Sequence, residues 1–359
     1  MARIDAFLKL GLSQGCSDVH LAVGIPPMLR MHGELRPIKF RELSAPELEG
    51  YIDEILSKNQ KDVFNKGQDV DFSYVSEESG RFRVNLYRKA TGVGATFRFI
   101  PTEVPTLKKL DLPPIIEKLC SYHQGMVLVT GSTGTGKSTT LAAMLHHMNQ
   151  HRRLNIITLE DPIEFVHVPD KSQIIQRELG THVTSFADGI RSSLREDPDV
   201  VLVGELRDAD TISMAMTAAE TGHLVLGTLH TIGAVKTLDR IIDALPGAQR
   251  EQTKSFLAQS LKAVLTQNLI KTPDGRSRTA VMEIMINTRA ISNLIMTDQS
   301  HQIPSQLQMG QNQGMQLMDQ ALLSAIQEQR ADPDDAFKYA HDKELFERFV
   351  TNTGVLNAK

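Results

Sequence analysis

The chain has 359 residues, of which 41% are hydrophobic and 23% charged, and its formal net charge is -4. At roughly 150 residues per domain, this length predicts two domains with well-formed cores. The slightly acidic balance argues against a generally basic nucleic-acid-binding surface, and only two cysteines, Cys16 and Cys120, exclude a four-cysteine zinc site and fit a reducing compartment.

No targeting or membrane-spanning segment is expected. The N-terminal stretch 1–15 is amphipathic and carries Asp5, which is unlike a secretory signal. No apolar run approaches the about 18 residues that a membrane span needs. We therefore expect a cytosolic protein whose membrane association comes through a partner.

The first 100 residues predict a small α+β domain. One helix is expected over 3–14, and a second begins after Ser44, as its N-cap, and reaches about Leu56. Strands are predicted in series rather than alternating with long helices, at 17–21, 28–31, 35–38, 72–75, 81–87 and 95–100. His32-Gly33 is the expected turn of a hairpin.

The prolines Pro101, Pro105, Pro113 and Pro114 mark a linker, and strand-helix alternation begins at Gln124. Such alternation predicts a parallel α/β sheet, with strands at 126–130, 155–159, 200–203 and 224–228. Residues from about 250 to the end are predicted to be mostly helical. Pro273-Asp274-Gly275 and the polar stretch 299–316, interpreted as a solvated surface segment, interrupt these helices.

Residues 126–140, MVLVTGSTGTGKSTT, combine a predicted strand, a glycine-rich turn and a helix. The turn matches G-x-x-x-x-G-K-[ST] at every position, and its flanks supply the context that the pattern needs. The glycines let successive N–H groups surround phosphate oxygens, and the positive end of the helix adds to the same field. Lys137 is expected on the β- and γ-phosphates and the Ser138 hydroxyl on Mg²⁺. An ordinary glycine turn is the weaker interpretation, so we expect a nucleoside triphosphate to be bound by Gly131, Ser132, Thr133, Gly134, Thr135, Gly136, Lys137, Ser138 and Thr139.

The apolar strand 200–203 is followed by Gly204-Glu205. Ligands of open parallel α/β sheets bind at the carboxyl ends of the strands. Glu205 is thus expected to hold Mg²⁺ directly or through water, although Gly204 replaces the usual aspartate at the strand end. The alternative is a surface glutamate in a loop.

Three carboxylates, Glu160, Asp161 and Glu164, follow another predicted strand. Crowded like charges repel one another unless Mg²⁺ or an arginine compensates them. One of these groups is a candidate for orienting and deprotonating the attacking water. A solvated turn is an equal alternative.

His223 and His230 stand at the two ends of one predicted strand. A lone histidine is more often a satisfied polar group than a catalyst. Two histidines on a core strand of a nucleotide-binding protein favour a role in sensing the γ-phosphate or coupling the site to a subunit boundary.

The ordered motifs GSTGTGKSTT, LEDPIEF, VVLVGELRD and TGHLVLGTLHT resemble the Walker A, acidic, atypical Walker B and histidine boxes of the type II/IV secretion ATPase superfamily. Within it, the chain resembles the type IV pilus retraction ATPases (the PilT/PilU group) over nearly its whole length, including SDVHL, GRFRVNLY and ATFRFIP. The resemblance implies a PAS-like N-terminal α+β domain (1–100), a linker (101–117) and a RecA-like P-loop ATPase domain with a helical C-terminal region (118–359).

The resemblance also implies roles for single residues. Glu164 matches the catalytic glutamate of the family and Glu205 its Walker B glutamate. Arg83 and Arg98 match N-terminal-domain arginines that approach the γ-phosphate, whereas Arg191 and Arg195 match arginines of the RecA-like side. His230 is assigned to catalysis and His223 to nucleotide binding. From the residues alone, a solvated strand or helix face is the preferred interpretation of the four arginines.

The implied protein is a homo-hexameric ATP hydrolase, with ATP and Mg²⁺ at domain and subunit junctions. It would act in the cytoplasm at the inner face of the bacterial cell membrane and drive type IV pilus retraction through an inner-membrane platform protein. No nucleic-acid partner is expected.

Other functions stay open. Ser292 and Met296 replace the arginines of the Ala-Ile-Arg-Asn-Leu-Ile-Arg-Glu element common in retraction motors, so an accessory ATPase acting with a second retraction ATPase is an alternative. An assembly or secretion ATPase is disfavoured, because the chain has neither an extra N-terminal domain nor a four-cysteine insertion. The alternatives from other classes are a scaffold with little turnover and a nucleic-acid-translocating RecA-like ATPase, against which the scarcity of aromatic residues argues.

Overall fold

The computed structural model describes residues 2–31, 34–100, 103–352 and 354. The predicted turn at His32-Gly33 and Pro101 of the predicted linker lie outside this part of the chain. Two compact units are present, one formed by Met1–Glu103 with Pro162–Val166 and the other by Val104–Asp161 with His167–Lys359. The division after Glu103 falls inside the predicted linker. The segment Pro162–Val166 groups with the first unit, although its neighbours in the chain on both sides belong to the second.

The first unit contains α1 (Asp5–Ser13), β1 (Asp18–Ala22), β2 (Met28–Met31), β3 (Glu34–Pro37), α2 (Ala45–Asp53), α3 (Lys58–Asn65), β4 (Val70–Ser76), β5 (Gly80–Lys89) and β6 (Gly92–Ile100). Its strands form an antiparallel sheet in the order β3-β2-β1-β6-β5-β4. Alternate residues such as Phe82, Val84 and Phe97 are buried in the core, which leaves the intervening polar residues on the opposite face.

The helix predicted over 44–56 ends at Asp53, and α3, which follows it, was not predicted. Ser44 occupies the N-cap position of α2 but makes no capping hydrogen bond with its side chain. Ser57 instead begins a capping box on α3, because its hydroxyl accepts from Gln60 N–H at 3.4 Å and its own N–H donates to Gln60 Oε1 at 2.8 Å. The only residue that α3 buries is Phe64, so its apolar periodicity is too weak to be recognised in the sequence.

The strands of the second unit are β7 (Gly125–Thr130), β8 (Asn155–Glu160), β9 (Gln173–Glu178), β10 (Val200–Val203), β11 (Leu224–Leu229), β12 (Leu261–Lys271) and β13 (Arg278–Ile286). Its helices are α4 (Ile115–Leu119), α5 (Lys137–His151), α6 (Phe186–Ser193), α7 (Ala209–Glu220), α8 (Ala234–Ala244), α9 (Arg250–Ser260), α10 (Arg289–Met296), α11 (Ile303–Met309), α12 (Met318–Gln327), α13 (Pro333–Tyr339) and α14 (Lys343–Glu347).

The sheet of this unit has the order β13-β12-β7-β11-β10-β8-β9, and all neighbours are parallel except β13 and β12. Every residue of β7, β10 and β11 is buried, as expected of parallel strands covered on both faces. This sheet brings the carboxyl ends of its central strands to one edge.

The prediction of a mostly helical region after residue 250 was wrong for 261–286. These residues form the antiparallel pair β12 and β13, and Pro273-Asp274-Gly275 lies in the turn between them. Nearly all of β12 is buried, polar residues such as Gln267 and Asn268 included, so it lacks the alternation of apolar and polar residues that identifies a half-buried strand. Most residues of 299–316 are exposed, as predicted, but the segment contains α11 and buries Ile303, Leu307 and Met315.

Among the residues that the structure describes, none belongs to a helix with the length and apolar character required to cross a bilayer.

Candidate active site

The glycine-rich turn joins the end of β7 to the start of α5. Gly131, Gly134 and Gly136 have φ angles of 137°, 80° and 86°, in the region where a side chain would be strained. Gly136 is the N-cap of α5, and the first turn of this helix contains no acidic residue, so its positive end is not neutralised locally. The turn therefore has the backbone that phosphate binding requires.

Lys137 is buried at the first position of α5. Its ammonium group donates to the backbone oxygens of Gly131 at 2.8 Å and Ser132 at 3.0 Å, which folds the side chain back over the turn. The side chain of Ser138, the next residue, is exposed. A charged amine and an exposed hydroxyl thus stand side by side at the positive end of α5, as binding of a phosphate with its metal ion requires.

The strand registers place four segments at the same edge of the sheet. Thr130 of β7 pairs with Leu229 of β11, whereas Val203 of β10 pairs with Gly227 of β11 and Leu159 of β8. The glycine-rich turn, His230, Glu205 and the Glu160-Asp161 pair all follow directly from these strand ends. The structure therefore brings together at one edge what the sequence separates by up to 100 residues.

Both carboxylate oxygens of Glu205 have cationic or potentially cationic neighbours. Oε2 lies 2.7 Å from Arg207 Nη2, and Oε1 lies 3.1 Å from His230 Nε2. Burial by itself would raise the pKa of Glu205, but the contacts from Arg207 and His230 outweigh burial and leave this pKa below its usual value. The hydrogen bond to Glu205 in turn raises the pKa of Arg207. Glu205 is therefore ionised at neutral pH, as a metal-binding carboxylate must be.

These residues line a cleft of about 240 Å³ that also contains Thr231 and Arg240. The sequence analysis missed both arginines of this cleft. Arg207 follows Glu205 by two residues, which is a signal that could have been used. Arg240 lies on α8, and nothing in its local sequence distinguishes it from other exposed helix residues.

Gly204, which replaces the usual aspartate, lies where β10 and β8 approach each other closely. A Cβ on Gly204 would be 3.1 Å from the Leu159 oxygen and 3.4 Å from Glu160 Cα, and Gly204 N–H donates to the same oxygen at 2.7 Å. An aspartate would crowd this backbone. Gly204 therefore fits the close approach of β10 and β8, and the acidic residue of this motif, Glu205, follows it.

The three carboxylates after β8 have different surroundings. Glu160 accepts hydrogen bonds from the Thr158 hydroxyl at 2.6 Å and from Gln176 Nε2 at 3.0 Å. Asp161 is exposed and contributes to the raised pKa of Arg207 after the larger effect of Glu205. Glu164 is exposed between the buried residues Ile163 and Phe165, within the segment grouped with the first unit. Glu160 thus serves the local structure, while Asp161 and Glu164 are available to a ligand.

The histidines differ in position. His230 follows β11 and reaches Glu205, whereas His223 precedes β11 beside Gly125, whose N–H donates to the His223 oxygen at 3.0 Å. The parallel pairing of β11 with β7 puts His223 at the edge opposite to the glycine-rich turn. Within its own chain His223 therefore lies away from the glycine-rich turn, and its ring contacts Ala218 O at 2.9 Å, while its role in nucleotide binding stays a prediction.

The four predicted arginines lie on surfaces of the two units. Arg83 and Arg98 are cross-strand partners on β5 and β6, and Arg98 Nε donates to Oδ1 of the buried Asp18 at 2.9 Å. Arg191 pairs with Asp188 at 2.6 Å on α6, and Arg195 donates to the Arg191 oxygen at 3.2 Å. Arg98, Arg191 and Arg195 are exposed and Arg83 is half-buried. Their role in catalysis stays a prediction.

Comparison with known proteins shows similarity over nearly the whole chain. The family model described as "Type II/IV secretion system protein" matches residues 4–333. A twitching motility protein of Neisseria gonorrhoeae is 49% identical over 318 residues, which cover 89% of this chain and 85% of the relative. The type IV pilus retractation ATPase PilT of Pseudomonas aeruginosa is 44% identical over 323 residues, covering 90% and 94%. A crystal structure of the pilus retraction motor PilT with bound ADP superposes with a TM-score of 0.90 at 39% identity, covering 97% of this chain and 99% of that one.

Proposed function

The chain belongs to the type II/IV secretion system protein family, and from this premise we propose that it is an ATP-hydrolysing motor of type IV pilus retraction. The family and the α/β fold with a RecA-like ATPase domain, both predicted from the sequence, are confirmed. The observation that carries the proposal is the complete glycine-rich turn beside the Glu205–His230 pair, in a chain similar to a retraction ATPase over 90% of its length.

ATP and Mg²⁺ are the proposed ligands. The backbone of 131–136 and the amine of Lys137 would hold the phosphates, and Ser138 and Glu205 would hold the metal ion. The exposed hydroxyl of Ser138 and the lowered pKa of Glu205 fit these roles. When bound, Mg²⁺ supplies positive charge that compensates the β- and γ-phosphate oxygens. Glu164 is the proposed base for the attacking water, since it matches the catalytic glutamate of the family and is exposed.

We further propose that Arg83 and Arg98 respond to the γ-phosphate. They belong to a different unit from Lys137, so loss of the γ-phosphate would change the forces on both units and allow a hinge motion near residues 101–117. Arg191 and Arg195 are the proposed counterparts from the RecA-like side. Their exposure is consistent with contacts to another subunit.

The proposed assembly is a homo-hexamer in the cytoplasm that acts on an inner-membrane platform protein. Sequential hydrolysis around the ring would move the platform and return pilin subunits to the membrane. No nucleic acid takes part in this mechanism.

An accessory retraction role is the second candidate. Ser292, which replaces an arginine common in retraction motors, donates to the Ala258 oxygen at 2.6 Å and to Asn287 Oδ1 at 3.1 Å. The first of these hydrogen bonds links α10 to α9. The candidate rests on the replacement of both arginines of this element, by Ser292 and Met296.

Deletion of the gene in its host, with surface pili and twitching scored, tests the function. Hyperpiliated, non-motile cells are expected for a primary retraction motor, and a milder motility defect for an accessory one. Bald cells would show an assembly ATPase instead. Steady-state ATPase assays with and without single- and double-stranded DNA complete the test, because strong stimulation by DNA would favour a nucleic-acid motor.

A further inference from the structure

Gln267 lies on β12, the strand beside β7, and only 2% of it is exposed. Its side-chain amide makes two hydrogen bonds: Nε2 donates to the Thr135 oxygen at 2.7 Å, and Oε1 accepts from the Thr140 hydroxyl at 2.7 Å. The Thr135 carbonyl can only accept, which fixes the orientation of the amide. One buried side chain thus binds both the glycine-rich turn and α5.

These two contacts enclose the residues that are expected to meet the phosphates. Thr135 comes before Gly136, Lys137 and Ser138, and Thr140 comes after them in the first turns of α5. The Gln267 side chain acts as a strut, because it joins Thr135 of the loop to Thr140 of α5. It therefore restricts how far the loop and the helix can move relative to each other. The ammonium group of Lys137 and the N–H groups of the helix start are then held in one arrangement.

The turn also packs closely on the same residue. A Cβ on Gly136 would lie 2.9 Å from Gln267 Nε2, and a Cβ on Gly131 would clash with the backbone oxygen of Gln267. The first and last motif glycines therefore serve two purposes, because they supply positive φ angles and leave room for Gln267. Four positions of the segment 131–140 are in this way shaped by one residue of β12.

We propose that Gln267 is a positioning residue for nucleotide binding: it holds the glycine-rich turn in its phosphate-binding form without touching the phosphate itself. The inference rests on the proposed function, since it takes the ligand of this turn to be a nucleoside triphosphate. Ordering a flexible loop on binding costs free energy and weakens affinity, and a loop that is already ordered avoids this cost. Loss of the strut should therefore weaken nucleotide binding more than it weakens the fold.

Gln267→Met is the direct test, because methionine keeps most of the side-chain length and removes both hydrogen bonds. The matched control is Thr266→Val. Thr266 is the preceding residue of β12, is also 2% exposed, and shares one buried side-chain hydrogen bond with Thr130 at 2.9 Å, but its side chain has no hydrogen bond to residues 131–140 among those that the structure describes. Both variants lose buried hydrogen bonding from the same strand, and only one loses contact with the turn.

The measurements on the full chain are the Kd of Mg-ADP, the KM and kcat for ATP, and the Tm. For Gln267→Met we expect Kd and KM to rise about tenfold, as loss of roughly 1.4 kcal/mol of binding free energy would give, with kcat changed less than KM. Such a split indicates lost binding in both ground and transition states. For Thr266→Val we expect Kd and KM within about twofold of wild type, which is within roughly 0.4 kcal/mol.

A Gln267→Met protein that binds Mg-ADP as tightly as Thr266→Val would overturn the inference, as would a fall in kcat with unchanged KM. If Gln267→Met does not fold, Thr140→Val decides, because it removes one end of the strut: weaker binding supports the inference and unchanged binding overturns it. Failure of the wild-type chain to bind any nucleotide would instead refute the proposed function.

Discussion

His230 Nε2 lies 3.1 Å from Glu205 Oε1, so the residue that follows β11 contacts the carboxylate that follows β10. A histidine in this position can respond to any change in the charge or coordination of Glu205. The contact joins two of the sequence motifs into one unit, and Arg207 occupies the other carboxylate oxygen. The contact supports the proposal that His230 acts through Glu205 and not as an isolated sensor.

The first prediction concerns the pH dependence of ATP hydrolysis. Burial would raise the pKa of Glu205, and Arg207 is prominent among the groups that reverse its effect. Arg207→Ala should therefore raise this pKa and move the acid limb of the kcat/KM profile to higher pH, whereas Arg207→Lys should move it less. Superimposable acid limbs in wild type and Arg207→Ala would show that Arg207 does not control this ionisation.

The same pKa shift has a consequence for stability. Because the folded-state pKa of Glu205 lies below its unfolded value, the ionised carboxylate stabilises the folded state above the unfolded pKa. This contribution is lost as the pH falls through the folded pKa. The Tm of the wild type should thus fall more steeply than that of Glu205→Gln between about pH 5 and pH 3, a range set by the usual carboxyl pKa. Parallel Tm curves would contradict this assignment.

The second prediction concerns Arg83 and Arg98, which are cross-strand partners on β5 and β6. It separates their effect on catalysis from their effect on stability. Arg83→Ala and Arg98→Ala should each lower the ATPase rate. The loss would be on the order of 10³-fold if these residues act as arginine fingers. Arg98→Ala should also lower the Tm, because it removes a partner of the buried Asp18 carboxylate. Differential scanning fluorimetry beside the ATPase assay distinguishes the two effects. Wild-type rates in both variants would end the proposal that these residues respond to the γ-phosphate.

The third prediction uses the two candidate helix caps. Ser57→Ala should cost about 1 kcal/mol of stability, as loss of an N-cap usually does, because Ser57 forms a capping box on α3. Ser44→Ala is the matched control and should be nearly neutral, since Ser44 makes no capping bond with its side chain. Denaturant unfolding of the two variants measures the difference, and equal losses would contradict it.

The fourth prediction concerns the atypical strand end. Gly204→Ala should lower both the Tm and the ATPase rate, because its Cβ would crowd the Leu159 backbone oxygen beside the loop that carries Glu205. Gly247→Ala serves as the control, since no atom of the described residues, its two chain neighbours aside, lies within 4 Å of a Cβ at that position. A Gly204→Ala protein with the wild-type Tm and ATPase rate would contradict this prediction, because it would show that the ends of β8 and β10 accommodate the added methyl group.

The local motifs were predictable from the sequence, whereas long-range contacts were not. The glycine-rich turn and β10 follow from patterns of a few neighbouring residues. Gln267 gave no signal, because its partners lie 132 and 127 residues away and its strand resembled a helix in composition. The separation of His223 from the glycine-rich turn of its own chain was predictable, since a residue that precedes a strand does not share an edge with a loop that follows a parallel neighbour.

The most direct test of the central claim is the ATP turnover of Lys137→Ala, measured beside a control in which the exposed Lys236 is changed to alanine. Lys137 supplies the charge at the start of α5, so its loss should abolish turnover and leave a deletion strain without twitching, while Lys236→Ala behaves as wild type. A Lys137→Ala protein that hydrolyses ATP at the wild-type rate and restores twitching would contradict the account.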